Sequence, residues 1–494
     1  MIFTVGDLLV GGGEQALSQA HRGRLKSFLW LVRREIWERR FDQRLALGAS
    51  LCILLSLFSA VSQVHTVRAA RQEENARRAR WRASIEEQLQ RDENLEVESF
   101  RAMSPVAVLA AGLEPVVPER FSSTKEGLRW GEARGASDLV EALFGTFDLT
   151  FVVGTLFSLL AVLLTYDSVC GELSLGTLGL LLSYPVSRGS VLLAKVVANS
   201  ILICVGLSAS FLVVLVSAVL NGFPLIDLAN WLGYLWVAAL TLVAWTALGV
   251  TVSVYVRRPA TAALIGLLLW VAGVFLVPRG VGMIAETVHP PRRLVELNLQ
   301  EDEEVSRLRS QYRRQLEAAF GQFIRGSAPD ENRRGEFDRA RKQAGADLDR
   351  SRRQVQERLW AAMERIERER EATTTAMALL SPEALFRQAA AELSWTGFVQ
   401  RRHFYSSARL YHEQIGSRLA ESRQEIFATT RGSAGQVVIW HAPIDALLIP
   451  FSTTWAGRRE IFGDVLIPAL GLAIYGPLFF ALGLVRIYRL EIRS

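Results

Sequence analysis

The sequence predicts an all-α polytopic membrane protein: six transmembrane helices, an amphipathic N-terminal interfacial helix, a cytoplasmic coupling helix and a mainly helical extracytoplasmic domain. Three observations carry that prediction. Of 494 residues, 50% are hydrophobic and 21% are charged, a mixture that makes sense only if the two kinds are segregated along the chain. Six long runs are almost free of charge, and arginines cluster in the short flanks of those runs. A chain this apolar is too hydrophobic for disorder, and a soluble core has no need of such runs.

A hydrocarbon core of roughly 30 Å needs about 20 apolar residues of helix. The runs that meet this are Leu45–Val64, Leu149–Tyr166, Val196–Leu220, Leu228–Val256, Ala260–Val277 and Val465–Val485. Pro468, Gly476 and Pro477 lie inside the last, where neighbouring helices can re-satisfy freed backbone groups. The first run starts after more than forty residues and no small-residue cleavage pattern follows it, so a retained span is expected rather than a signal peptide.

Lys and Arg in short flanks bias topology toward the cytoplasm. Arg33, Arg34, Arg39, Arg40 and Arg44 precede the first run, Arg257 and Arg258 lie between the fourth and fifth, and Arg486, Arg489 and Arg493 follow the sixth. The turn from Asn221 to Asp227 has no basic residue. Both termini, residues 1–44 and 486–494, are therefore expected inside, together with the segment 167–195. Residues 65–148 and 278–464 are expected outside. Trp231, Tyr234, Trp236, Tyr255 and Tyr488 fall near span ends, where amphipathic rings favour the interface.

Between the spans, Leu25, Phe28, Leu29, Val32 and Ile36 share one helical stripe, which suits a helix lying on the cytoplasmic membrane surface with its basic face toward anionic head groups. Val305, Leu308, Tyr312, Leu316, Phe320 and Phe323, then Phe337, Ala344, Leu348, Val355, Leu359 and Ile366, read as two helices folded back around a break at Gly326 to Asn332. Arg and Glu alternate along this hairpin, so its charge reads as solvated surface and not as a nucleic-acid interface. Ser381 is a candidate N-cap with Pro382 at the first helical position. Phe404, Tyr405 and Tyr411 are expected in the core of a compact outer domain. Cys52, Cys170 and Cys204 have neither CxxC pairing nor accompanying histidines, so they read as small buried hydrophobes and no metal site is expected.

The stretch Tyr166–Lys195 looks purposeful. Gly171 and Glu172 are expected to end one helix and open a short one carrying Leu173, Leu175, Leu178, Leu181 and Leu182, which leave little polar face. Pro185 stops it, Ser187 and Arg188 turn the chain, and Ser190 caps the third span. A short apolar helix at a membrane–cytoplasm boundary suits a groove in a cytoplasmic partner, with Glu172 and Arg188 as polar anchors.

This stretch resembles the signature of ABC-2 type transporter permeases. The matching residues are Glu172, Gly176, Thr177, Leu178, Leu181, Ser183, Pro185, Val186, Ser187, Arg188 and Lys195. The chain departs from typical members in its large insertions after the first and fifth spans. It is similar to a subgroup with such insertions, whose LLSPEALF segment and Ser394–Phe404 stretch it shares. The resemblance implies a dimer with a second permease, the same chain or a paralogue, in the inner membrane of a bacterium. Each half would dock its coupling residues Glu172, Gly176, Thr177, Leu178, Leu181, Pro185, Val186 and Arg188 into an ABC ATPase. This chain is expected to bind no cofactor, with ATP and Mg on the partner ATPase, since no GxxxxGK[ST] loop occurs anywhere in it. An exporter is the function this implies, with a mechanotransmitting or sensory membrane scaffold as the alternative. An intramembrane enzyme would need ionisable groups at bilayer depth, and the six runs carry none. Spans without fixed charge favour a lipid-like or amphipathic cargo over a small ion.

Overall fold

The structure is a computed structural model that describes residues 26–90, 96–104, 106–124, 127–131, 133, 146–184, 186–223, 228–288, 294–324, 331–429 and 451–489. It opens with helix α1 (residues 26–39) and a long α2 (Gln43–Gln90). A three-stranded sheet of β1 (Val97–Phe100), β2 (Arg120–Thr124) and β3 (Gly127–Trp130) follows. Helices α3 (Leu149–Ser174), α4 (Thr177–Leu182), α5 (Arg188–Leu220), α6 (Leu228–Tyr255) and α7 (Pro259–Ala285) come next. The chain then forms α8 (Leu294–Ile324), α9 (Glu331–Ala378), α10 (Pro382–Leu393), α11 (Phe398–Thr429) and α12 (Arg458–Tyr488). Among the described residues, six helices are long and apolar enough to cross a membrane: α2 through Arg77, α3, α5, α6, α7 and α12.

The spans differ in role. In α3 and α6, 72% and 78% of the most apolar window is buried inside the protein, against 22% in α2 and α7. The first two form the centre of the bundle, and the others turn leucines such as Leu54, Leu268 and Leu470 outward. Without a hydrophobic drive between helices in lipid, close approach rests on small residues and satisfied hydroxyls. Gly249 supplies the first: a Cβ there would overlap Thr165 Oγ1 and lie 3.4 Å from Val162 Cα. Thr165 and Thr246 donate to carbonyls four residues back, Ala161 O and Leu242 O, at 2.6 and 2.7 Å. Two of the aromatic residues expected at the membrane interface are instead core residues. Trp231 and Tyr234 are buried beside Phe211, because α6 is the central helix and its first turns are covered by α10. Trp236, Tyr255 and Tyr488 remain exposed.

Helix α10 was legible as a capped helix but not as part of the bundle. Ser381 Oγ accepts from Glu383 N at 3.1 Å, the expected cap, and donates to Gly273 O of α7 at 2.6 Å. Leu385, Phe386 and Ala389 then join the same apolar core as Val152, Tyr234 and Leu472 of the spans. Both π-helical stretches of the bundle, Val152–Phe157 in α3 and Ala272–Leu276 in α7, border this helix. Such bulges open the backbone where a neighbour must enter. A Cβ on Gly154 would overlap the Glu383 carboxylate.

Beyond the bundle, β1, β2 and β3 pair antiparallel in that order, with Ser99 opposite Phe121 and Phe121 opposite Trp130. Phe121 and Trp130 pack with Phe404, Tyr411, Phe451 and Trp360 into the compact aromatic core expected around Phe404 and Tyr411. The hairpin α8–α9 adds Leu297 and Leu359 to it. At about 1.5 Å per residue α9 is roughly 72 Å long, so its half away from this core projects as an arm. Phe320 and Phe337 meet along the arm at 5.8 Å between ring centres, as the periodicity predicts, and the break at Gly326 to Asn332 begins in residues outside those described.

Filling the closest contact of the bundle tests this packing. Gly249→Leu is expected to destabilise the protein by about 1–3 kcal/mol, the range for overpacked cores, seen as a lowered unfolding temperature in detergent.

Candidate functional site at the turn between the second and third spans

The segment expected to act in coupling is not one short helix opening at Glu172. Cys170–Ser174 and Thr177–Leu182 are separate turns of helix, because Gly176 adopts φ +72°, which β-carbon-bearing residues avoid. This kink redirects α4, so that Leu178 and Leu181 point inward and are buried while Leu175 and Leu180 remain 78% and 70% exposed. Thr177 and Gly179 share the outward side, and no atom lies within 4 Å of a Cβ at Gly179. Val186 is half-buried against α1 and α5, and Pro185 lies outside the described residues. The cap of α5 is Ser187 instead of Ser190. Its hydroxyl accepts from Ser190 N at 3.1 Å, so the helix starts two turns before the apolar run of the third span.

The underside of α4 rests on α1. Leu31 and Val32 are buried with Leu181, Val191, Ala194 and Ala198, and Phe28 and Ile36 pack beside them. The inward stripe is thus Phe28, Leu31, Val32, Glu35 and Ile36. Leu29, expected on that stripe, is exposed, and Leu25 lies outside the described residues. Trp30, Trp37 and Phe41 occupy the opposite side and are exposed, a surface suited to the membrane interface.

One cation ties these elements together. Lys195 is 1% exposed, and its Nζ donates to Glu35 Oε1 of α1 at 2.7 Å and to Glu172 Oε1 at 2.6 Å. A buried ammonium is tolerated only when paired and hydrogen-bonded. The network extends through Arg39, whose Nη2 lies 3.6 Å from Asp167 Oδ1 and donates to Ser168 Oγ at 3.0 Å, and through Arg44, 3.0 Å from Asp167 Oδ2. Arg188 donates to Ile487 O near the end of α12 at 3.1 Å. Glu172 and Arg188, expected as anchors for a partner, are therefore engaged within the chain, where they hold α4 in position. The large side chains this turn leaves exposed are Leu175, Leu180 and Tyr184.

A second polar cluster, at the opposite end of the bundle, escaped the sequence reading because it enters from α10. Glu383 is fully buried and accepts from Arg387 Nε at 2.7 Å. Burial pushes its carboxyl from 4.5 up to about 7, Arg387 opposing this and Asp148 adding to it. Glu392 is likewise pushed up to about 7 by burial, against the amides of Phe398 and Val399 that donate to it at 2.7 and 3.2 Å.

Six apolar crossings and a braced amphipathic α1–α4 platform at one end define a multi-pass membrane protein. Residues 29–317 match the ABC-2 family transporter protein family, and the chain belongs to that family. It is 32% identical over 93 residues to the "Probable ABC transporter permease protein NosY" of Pseudomonas aeruginosa, which is 18% of this chain and 34% of that protein. It is 43% identical over 56 residues to the protein of the same name from Stutzerimonas stutzeri, 11% of this chain and 20% of that one. The chain thus spans about a third and a fifth of the lengths of the curated relatives it matches.

Two measurements follow. Lys195→Met strands two carboxylates and is expected to cost about 3–5 kcal/mol of stability, whereas Glu172→Gln, at the more exposed edge, costs less; thermal unfolding in detergent ranks them. For Glu392, a folded-state value above the unfolded one means that its contribution to stability is full below about pH 4.5 and is lost as pH rises through about 7. The unfolding temperature is expected to fall over that window, and Glu392→Gln to flatten the fall.

Proposed function

We propose that this chain is the membrane-spanning subunit of an ATP-binding cassette exporter in the inner membrane of a bacterium. Both termini and the α4 turn face the cytoplasm, and the two insertions lie outside. The observation that carries the reading is the outward side of this turn, with Leu180 of α4 and the flanking Leu175 and Tyr184 exposed on a platform braced from beneath by Leu178, Leu181 and the Lys195 network. An apolar ridge on a rigid base suits a groove in a cytoplasmic ATPase subunit. Force applied there passes directly into α5, whose first turns hold Lys195, and into the central α3. ATP and Mg belong to that separate subunit. The family resemblance implies two permease chains per transporter, each docking one ATPase, and the flanking arginines support the orientation.

A second reading, transmission of mechanical work to a partner outside the membrane, is favoured by the length of α9. Deleting residues 310–350 removes the arm while leaving Leu297, Leu359 and Trp360 of its base in place. Transport that survives this deletion excludes an essential force-transmitting arm.

Docking is tested by co-purification with the ATPase encoded nearest to the chain. Leu180→Glu, which changes only an exposed side chain, is expected to reduce recovered ATPase by about tenfold or more with an unchanged unfolding temperature. Glu172→Arg is expected to reduce both, because it also repels Lys195. Undiminished complex in both variants contradicts the reading.

A further inference from the structure

At the insertion end of the bundle a cavity of about 530 Å³ opens between α3, α7, α10 and the turn around Leu113. Its size lies within the roughly 300–1,000 Å³ of small-molecule sites. Most of the wall is apolar: Leu113, Val116, Phe151, Val281, Ala384 and Phe398 line it. Water against such a wall is readily displaced by an apolar body.

The polar lining comes from the entry and start of α3, with Thr146, Asp148 and Thr150, from Thr374 of α9, and from Arg387, Gln388 and Glu392 of α10. Arg387 and Gln388 of α10 both line the cavity. The Arg387 side chain is 35% exposed, and among the described residues its guanidinium is engaged through Nε, to Glu383, leaving its Nη groups for another acceptor. Gln388 Nε2 donates to Thr375 Oγ1 at 2.7 Å, while its Oε1 is buried with no hydrogen-bond partner among the described residues. The two carboxylates of the wall are already spent on backbone. Asp148 accepts from Phe151 N at 2.8 Å and Ala111 N at 2.9 Å, and Glu392 from Phe398 N and Val399 N. The cavity therefore offers a ligand one guanidinium and one vacant acceptor, at the head of an apolar space.

We propose that this cavity binds an anionic amphiphile, its carboxylate or phosphate head on the Arg387 guanidinium, a head-group hydroxyl on Gln388 Oε1 and its chain along Phe151, Val281 and Phe398. Thr150 and Phe151 begin α3, and Val281 lies in the last turns of α7, so the cavity sits at the level where a membrane leaflet meets water. The proposal deepens the exporter reading, on which it rests for the outward orientation and for the ligand's role as cargo; the binding itself needs neither ATP nor the ATPase.

The test uses the full chain in nanodiscs with three photoactivatable probes: a diazirine fatty acid, a diazirine phosphatidic acid and the matching neutral diacylglycerol. The anionic probes are expected to label peptides holding residues 110–116, 278–282 and 398–402. Gly282 lines the cavity, and a Cβ there meets open space, so Gly282→Trp starts from an open position and is expected to occupy part of the site and cut that labelling about tenfold or more. Arg387→Gln, made together with Glu383→Gln so that no buried carboxylate is stranded, is expected to cut labelling by the anionic probes to a similar degree and to spare the diacylglycerol, as loss of a charge-assisted hydrogen bond requires. Which anionic probe labels more strongly identifies its source as free fatty acid or phospholipid. Labelling of these peptides that is equal for all three probes and unchanged by Gly282→Trp overturns the proposal. If that result comes with intact ATPase co-purification, only the ligand assignment falls.

Discussion

Lys195 stands two turns into α5, directly before the apolar run of the third span, and its Nζ brings three separate segments together at one atom. Its ammonium is shared by Glu35 of α1 and Glu172 of the α3–α4 turn, at 2.7 and 2.6 Å. A charge in such surroundings is weak evidence for stability, because desolvation offsets much of the attraction. What it gives is register. A cation that must be neutralised from two sides admits only arrangements in which both acids arrive, and that condition fixes α1 beneath α4 and α4 against the first turns of α5. The apolar contacts of Leu31, Val32, Leu178 and Leu181 fill the space the ion pairs define. The outward positions of Leu175 and Leu180, on either side of the Gly176 kink, follow from this arrangement.

The other end of the bundle is organised on the same principle with the opposite sign. There a carboxylate, Glu383, is carried into the core by α10 and met by Arg387 one helical turn away. Two π-helical stretches and Gly154 make room for it. Each end of the bundle thus has a buried ion pair that locates a non-spanning element: α1 and α4 at one end, α10 at the other. Between the two ends, Leu149–Tyr166 of α3 and the whole of α6 run without a charged residue.

The spans were legible in the sequence because the bilayer imposes a coarse rule, an unbroken apolar run of fixed length, that no tertiary contact is needed to satisfy. The motif from Glu172 to Lys195 was legible as a pattern, and Ser381 and Pro382 as a cap. The rest failed for specific reasons. The roles of Glu172 and Lys195 depend on Glu35, which is 160 residues from Lys195 in sequence. The kink at Gly176 hides in a stretch of leucines that reads as one helix. Helix α10 carries Glu383, Arg387 and Glu392, so its composition is that of a soluble helix, and its seat in the bundle follows only from the partners it meets. The strands VESF, RFSST and GLRW are four or five residues long, too short for alternation to stand out from loop sequence.

The claim that Lys195 locks α1, α4 and α5 into one unit is tested most directly by hydrogen exchange on the full chain in nanodiscs, comparing the parent with Lys195→Met. The account predicts that amides of residues 28–39 and 170–184 exchange about tenfold faster or more in the variant, as local opening does when its anchor is lost, while those of α6 keep their protection. Unchanged exchange in α1 and α4, or loss of protection spread evenly over all the spans, would contradict it.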